Sequence, residues 1–377
     1  MKTYLVGGAV RDKLLGLPAK ERDYVVVGAT VSDMLNLGFR QVGKEFPVFL
    51  HPKTGEEYAL ARMERKTGPG YKGFAFDTSP HVTLEADLIR RDLTINAMAM
   101  TENGDIFDPY LGKHDLNAKV LRHVSPSFAE DPVRILRVGR FLARFHHLGF
   151  HVAPETMTLM RQMVEAGEVN ALVAERVWKE LERSLGEKNP ENFFAVLAEC
   201  GAMAILFPQI DIHGQGIKAL EQTAQLTPAN TDDISLIRFA ALLHNISDPK
   251  KQIPELSNRY RVPNTYRTLA KLVALHHVDT LSADTLSGDH LLELFLALDA
   301  FRREERFLLF LQACQAIAAA QGKTFNAAWL KKLVDTTKQM TVNTIKELMA
   351  DGTEGSDLAK KLNEARRQAI NSIIRPA

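Results

Sequence analysis

Glu21 and Asp23 stand two residues apart at the head of an apolar run, Tyr24-Val25-Val26-Val27. Side chains two apart in a strand point to one face, so the two carboxylates are placed to share one hard cation or a pair of them. Upstream, a first apolar run stops at Gly7-Gly8, where backbone amides can approach a phosphate at the start of a short helical segment carrying Arg11. Acids that hold metal ions, facing a cradle for phosphate, are the minimum equipment for nucleotidyl transfer. Each part has a plainer reading, since charges at a strand mouth are often only solvated and Gly-Gly turns commonly serve backbone geometry alone. The combination carries the weight, because phosphoryl transfer needs charge neutralisation and in-line positioning more than covalent chemistry.

Two further knots of polar residues follow. Arg90-Arg91-Asp92-Leu93-Thr94-Ile95-Asn96-Ala97 sets adjacent arginines before an expected apolar helix, where cations can meet a triphosphate or ribose. The alternative is an Arg–Asp pair that ties down the helix start. In Glu130-Asp131-Pro132-Val133-Arg134-Ile135-Leu136-Arg137-Val138-Gly139-Arg140, Pro132 suits a first helical turn, with Glu130 or Asp131 near the cap. Asp131, Arg134, Arg137 and Arg140 succeed one another at i+3 steps, a drifting stripe of the kind usually solvated. Val133, Ile135, Leu136, Val138 and Phe141 make the other face apolar, which anchors the helix and directs the charges outward or into a cleft.

The elements that position these residues change character along the chain. Short β-rich runs (3–6, 24–27, 46–50, 57–60, 105–107, 119–124) and two helical segments occupy the first 125 residues. Lys66-Thr67-Gly68-Pro69-Gly70-Tyr71-Lys72-Gly73, flanked by Arg62 and Arg65, has the composition of a mobile loop. From Asp131 onward the apolar spacing is helical. The expected fold is therefore an α/β head with a mixed sheet (1–125), a helical neck carrying the charged stripe (126–205), and a helical body and tail (206–377). With 377 residues, more than one domain is the prior, and 47 basic against 46 acidic residues leave no global field to draw nucleic acid. Any such contact must come from local clusters and respond to salt. Cys200 and Cys314 stand far apart, as buried thiols of a reducing compartment would. The first apolar run is too short for a signal peptide and no stretch suits a bilayer, so the expected setting is cytoplasmic.

Taken in order, GGAVRD, the acid-x-Asp pair, RRDLTINAMA, DPYLGKHDL, EDPVRILRVGRF and ERVWKEL resemble the class II tRNA nucleotidyltransferases, the bacterial CCA-adding enzymes, across roughly the first 185 residues. The resemblance implies Mg²⁺ on Glu21 and Asp23, the nucleoside triphosphate on Gly8 and Arg11, and a nucleotide contact by Arg91. It implies that Asp131 and Arg134 read the base and that Arg137 and Arg140 complete the pocket. Asp108, Gly112 and Asp115 would couple head to neck, and Glu175-Arg176 would brace a helix. One departure is Glu21, where the family most often has Asp; the longer side chain moves the carboxylate by roughly 1.5 Å. The implied partners are CTP, ATP and the tRNA 3′ acceptor end, with no membrane and no protein partner.

Base reading also follows from chemistry. Cytosine and adenine each present an amino donor beside a ring-nitrogen acceptor, which suits a carboxylate and a guanidinium. Uracil and guanine present the reverse and would leave both protein groups unpaired.

Longer relatives carry an HD phosphohydrolase domain after the neck. The corresponding stretch here reads Phe239-Ala240-Ala241-Leu242-Leu243-His244-Asn245, with a neutral amide in place of the carboxylate. His244, His276 and His277 are expected to be structural, and Trp178 and Phe193-Phe194 to be core. In segment 356–374, Lys360, Lys361, Arg366 and Arg367 could rest on tRNA phosphates or form a solvated face. A poly(A) polymerase, a partial CC- or A-adding enzyme, and a non-catalytic tRNA-binding chaperone share parts of this pattern.

Overall fold

The structure is a computed structural model that describes all residues except Lys20, 43–46, 67–73, 227–232, 351–354 and 375–377. It divides into two compact units, Met1–Glu180 with Asn192–Leu206, and Leu181–Glu191 with Phe207–Ala377.

The first unit is built on strands β1 (Lys2–Val6), β2 (Asp23–Val27), β3 (Arg40–Gln41), β4 (Val48–Leu50) and β5 (Glu57–Leu60). Beyond a hairpin of β6 (Met63–Lys66) and β7 (Phe74–Asp77) come β8 (Ala99–Met100), β9 (Ile106–Phe107), β10 (Val120–Leu121) and β11 (His151–Val152). Seven of them form a mixed sheet in the order β3-β4-β5-β2-β1-β8-β9. Its centre is set by two registers: β1 runs antiparallel to β2 with Val6 opposite Asp23, and β5 runs parallel with Glu57 beside Asp23. The sheet is covered on both faces, which the unbroken apolar run of β2 requires. Val6 and Val25 pack with Leu84 and Leu88 on one side, while Val26 packs with Met34 and Phe49 on the other.

The helices of this unit are α1 (Gly8–Leu14), α2 (Val31–Asn36), α3 (Leu84–Leu88), α4 (Gly112–Ala118), α5 (Val133–Phe145) and α6 (Pro154–Glu165). Helix α7 (Ala174–Leu185), which belongs to this unit as far as Glu180, α8 (Glu191–Glu199) and α9 (Ala202–Leu206) follow. The expected apolar face of α5 is buried in full, and Gly139 lets it close on α8: a Cβ there would lie 3.0 Å from the Phe193 ring. Trp178, Phe193 and Phe194 are core.

Two expectations need correction. Strand β2 begins at Asp23, so Glu21 lies in the preceding loop and the strand-face argument does not place it. No α-helix follows the paired arginines; a 3₁₀ turn, Thr94–Asn96, leads into β8 because the segment must supply an inner strand beside β1. Of the loop expected over 66–73, Lys66 belongs to β6 and 67–73 lie outside the described residues.

The second unit is helical: α10 (Gln215–Leu226), α11 (Ile234–Leu242), α12 (Pro249–Tyr260), α13 (Asn264–Leu281), α14 (Gly288–Ala297), α15 (Glu304–Ala320), α16 (Ala327–Ala350) and α17 (Gly355–Ile374). Among the described residues no helix is long and apolar enough to cross a membrane.

Candidate active site

The antiparallel register of β1 on β2 brings the Gly7-Gly8 turn to the same end of the sheet as Asp23. Gly7 has φ +69, a conformation costly for any residue with a Cβ, and its amide donates to the Met98 carbonyl. The turn is also crowded from above. A Cβ on Gly7 would lie 2.8 Å from Nη1 of Arg91, so the missing side chain is what lets the guanidinium sit over the turn. The Nε of Arg91 is buried and, among the described residues, has no hydrogen-bond partner.

Asp23 is solvent-exposed, yet the protein around it holds its carboxyl above the usual range; Arg91 pulls it down and the nearby charge of Glu21 pushes it up. That coupling puts all three groups in one electrostatic neighbourhood despite Glu21 lying outside the strand. Glu57, in register beside Asp23, adds an exposed acid at the same sheet end that no spacing in the sequence suggested. Among the described residues no group of three or more His, Cys, Asp or Glu forms a metal site. Two carboxylates are enough for Mg²⁺, which dehydrates reluctantly and takes its remaining ligands from water and phosphate.

Arg11 is not on the surface. Its Nε and Nη2 donate to Asp12 Oδ1 at 2.9 and 2.8 Å, its Nη1 to Asn96 Oδ1 at 2.6 Å, and it lies over the Phe141 and Phe145 rings. Its guanidinium nonetheless comes up beneath the turn, 3.3 Å from where a Cβ of Gly8 would be. Burial lowers its pKa, opposed by Asp12.

The arginines of α5, expected to point outward or into a cleft, form a ladder of ion pairs. Arg137 Nε donates to Asp92 Oδ2 at 2.6 Å, Arg140 Nε to Glu180 Oε2 at 2.6 Å, and Arg144 Nη2 to Asp12 Oδ2 at 2.9 Å. Asp92 also accepts from Asn96 Nδ2 and from the Leu93 amide, so it joins the arginine of α5 to the residue that holds Arg11. Burial works to raise the Asp92 carboxyl, but Arg137 and these hydrogen bonds hold it far below the ordinary range. Asp131 caps the start of α5 through the Val133 amide and takes a two-pronged ion pair from Arg176. Arg134 donates to the carbonyls of Ser127 and Arg90.

The segment around Asp108 is closely fitted. Asp108 accepts from the Gly112 and Lys113 amides, and Asp115 accepts from Thr94 Oγ1 at 2.7 Å. A Cβ on Gly112 would lie 2.3 Å from the Thr94 carbonyl oxygen, so this glycine permits α4 to touch the arginine-rich segment.

In the second unit, His244 donates from Nδ1 to the Ala241 carbonyl and His277 to that of Val273, their rings edge to face at 5.0 Å. Burial pulls the His244 pKa down to about 4, so both rings serve as neutral packing groups, while Asn245 points to solvent. The four basic residues of α17 divide: Lys360 and Lys361 are exposed, but Arg367 pairs with Glu364 and Asp289 and Arg366 lies 4.1 Å over the Phe301 ring.

A glycine turn and paired acids at the end of a mixed sheet, with an arginine held above them, define a nucleotidyltransferase head. Residues 3–122 match the family model described as the poly A polymerase head domain, and residues 149–212 the one described as a probable RNA- and SrmB-binding site of polymerase A. The chain belongs to the CCA-adding enzymes. It is 50% identical over 413 aligned positions to the multifunctional CCA protein of Thioalkalivibrio sulfidiphilus, covering 99% of this chain and 98% of that protein. It is also 50% identical over 374 to the CCA-adding enzyme of Coxiella burnetii, covering 99% and 96%. Among solved structures, an apo form of a CCA-adding enzyme superposes with a TM-score of 0.74 at 24% identity, over 98% of this chain and 88% of that one. A Thermotoga maritima CCA-adding enzyme complexed with tRNA gives 0.70 at 24%, over 98% and 87%. These likenesses show a shared fold.

Proposed function

We propose that the sheet end formed by Gly7-Gly8, Glu21, Asp23 and Arg91 is where this enzyme transfers nucleotides. As a tRNA nucleotidyltransferase, the chain adds C, C and A to the 3′ end of tRNA from CTP and ATP without a template, releasing pyrophosphate. The observation that carries the assignment is Arg91, which reaches over a turn that glycine makes at positive φ, at the same sheet end as Asp23.

Repulsion between Glu21 and Asp23 is what a divalent ion relieves, and the all-oxygen donor set fits Mg²⁺. Bound there, Mg²⁺ supplies polarisation of the attacking 3′-hydroxyl and neutralisation of the leaving pyrophosphate. Around it, the Gly8 amide and Arg91 meet the triphosphate, with Arg11 adding positive charge from beneath the turn. Arg137, fixed by Asp92, contributes to the nucleotide pocket, and the buried Arg140 supports it through Glu180. Asp131 and Arg134 select cytosine and adenine together, through the acceptor and donor capacity left beside their present partners. Residues 1–125 then serve catalysis, 126–205 base selection and 206–377 the tRNA, with Lys360 and Lys361 as phosphate contacts ahead of Arg366 and Arg367. Two buried free thiols, Cys200 and Cys314, suit a reducing cytoplasm.

Incubation with tRNA lacking its 3′ end tests this. CTP alone should add two residues, ATP alone none, and both together CCA. A run of A from ATP alone would identify a poly(A) polymerase, and no incorporation a chaperone.

A further inference from the structure

We infer that Asp87 is a positioning residue for the nucleotide: its carboxylate aims Arg91 over the Gly7-Gly8 turn and ties the root of the β6–β7 hairpin to the same point. The inference rests on the proposed contact between Arg91 and the nucleotide.

Asp87 lies in α3 within Leu84-Glu85-Ala86-Asp87-Leu88, outside every motif, and is fully buried. A carboxylate in that position is expensive unless paired and hydrogen-bonded. Three groups converge on it. Oδ1 accepts from Arg90 Nη2 at 2.9 Å, Arg90 Nε at 3.2 Å and the Arg62 backbone amide at 3.2 Å, while Oδ2 faces Arg91 Nη2 at 3.5 Å. Burial works to raise its pKa, but the two arginines prevail and keep it below the usual range, hence ionised.

Two cations on one anion leave a net positive charge, and geometry says where it is directed. Arg91 turns one prong back to Asp87 and holds the other over Gly7, with its buried Nε unpartnered. A guanidinium is a rigid fork, so fixing one prong fixes the plane of the rest. Asp87 therefore sets the direction of the donors that face the turn. Its bond to the Arg62 amide, the residue before β6, fastens the hairpin that leads into 67–73 to this same carboxylate.

The test is a double-mutant cycle of Asp87→Asn and Arg91→Met in the full chain. KM and kcat for CTP are measured on tRNA lacking its 3′ end, with tRNA affinity and thermal midpoint alongside. Arg91→Met should raise KM for CTP roughly 10-fold or more, the scale of one charge-assisted hydrogen bond. Asp87→Asn should raise it comparably with tRNA affinity unchanged, and the double variant should match Arg91→Met within about twofold, because the same interaction is removed once. Should Asp87→Asn alone fail to fold, Asp87→Glu, which keeps the charge but displaces the oxygens that face Arg91, replaces it in the cycle with the same expected rise in KM, and a wild-type KM there overturns the inference. A wild-type KM in Asp87→Asn, or multiplied losses in the double variant, overturns the inference and leaves the Arg91 contact standing. An unchanged KM in Arg91→Met overturns both.

Discussion

Both carboxylate oxygens of Asp131 are taken by one guanidinium: Arg176 donates from Nη1 to Oδ1 at 3.0 Å and from Nη2 to Oδ2 at 2.7 Å. Arg134, one helical turn on, spends its Nη donors on the carbonyls of Ser127 and Arg90. Base selection by this pair thus makes a cytosine or adenine amino group share the Asp131 carboxylate with the Arg176 clasp. Asp131→Ala should leave CTP and ATP usable while raising UTP and GTP incorporation on the order of 10-fold, the value of one lost discriminating hydrogen bond. Misincorporation assays with each of the four nucleotides measure it. Unaltered preference would remove Asp131 from base reading.

The acids make a second prediction, about titration. Asp23 is raised by the protein around it and by Glu21, and lowered by Arg91. In metal-free protein its carboxyl should titrate above the ordinary carboxylate range. Glu21→Gln should move that titration to lower pH by deleting a like charge, and Arg91→Met should move it to higher pH. Carboxyl-detected NMR over an acid titration reads both signs. Shifts in the opposite sense would separate these groups.

Stability should depend on Asp92. Its native pKa is depressed relative to the unfolded chain, so the contribution is complete above the unfolded value near 4 and is lost as pH falls towards the native one. Asp92→Ala, which removes the nearest anion from Arg137 and an acceptor from Asn96, should cost about 2–3 kcal/mol at neutral pH and flatten the acid limb. Denaturant unfolding from pH 7 down through pH 4 and into the acid limb compares the two proteins, the loss setting in below about pH 4.

Salt dependence separates the basic residues of α17. Lys360 and Lys361 are exposed, whereas Arg367 is neutralised by Glu364 and Asp289. Lys360→Gln with Lys361→Gln should lower the slope of log affinity for tRNA against log salt by about 1 to 2, and Arg367→Gln by much less. Equal slopes for all three proteins would remove α17 from the tRNA path.

Much of the head was legible because its signals are local. The apolar runs of β1 and β2, the glycine turn and the buried face of α5 each follow from a few adjacent residues. What escaped depends on partners distant in sequence. Nothing near Arg137, Arg140 or Arg144 announces Asp92, Glu180 or Asp12, and without those acids an i+3 row of arginines reads as a wet surface. Arg11 looked like an open phosphate ligand, since Asn96 and the two phenylalanines that bury it lie 85 or more residues away. Asp87 had no motif at all; its role is visible only where Arg62, Arg90 and Arg91 meet.

The central claim is that Glu21 and Asp23 make the reaction possible. The direct measurement is nucleotide incorporation into tRNA lacking its 3′ end by the Glu21→Ala, Asp23→Ala double variant, with tRNA affinity determined on the same preparation. Incorporation of both CTP and ATP should be abolished while tRNA binds within about threefold of wild type, under 1 kcal/mol of difference. Undiminished incorporation would contradict the account.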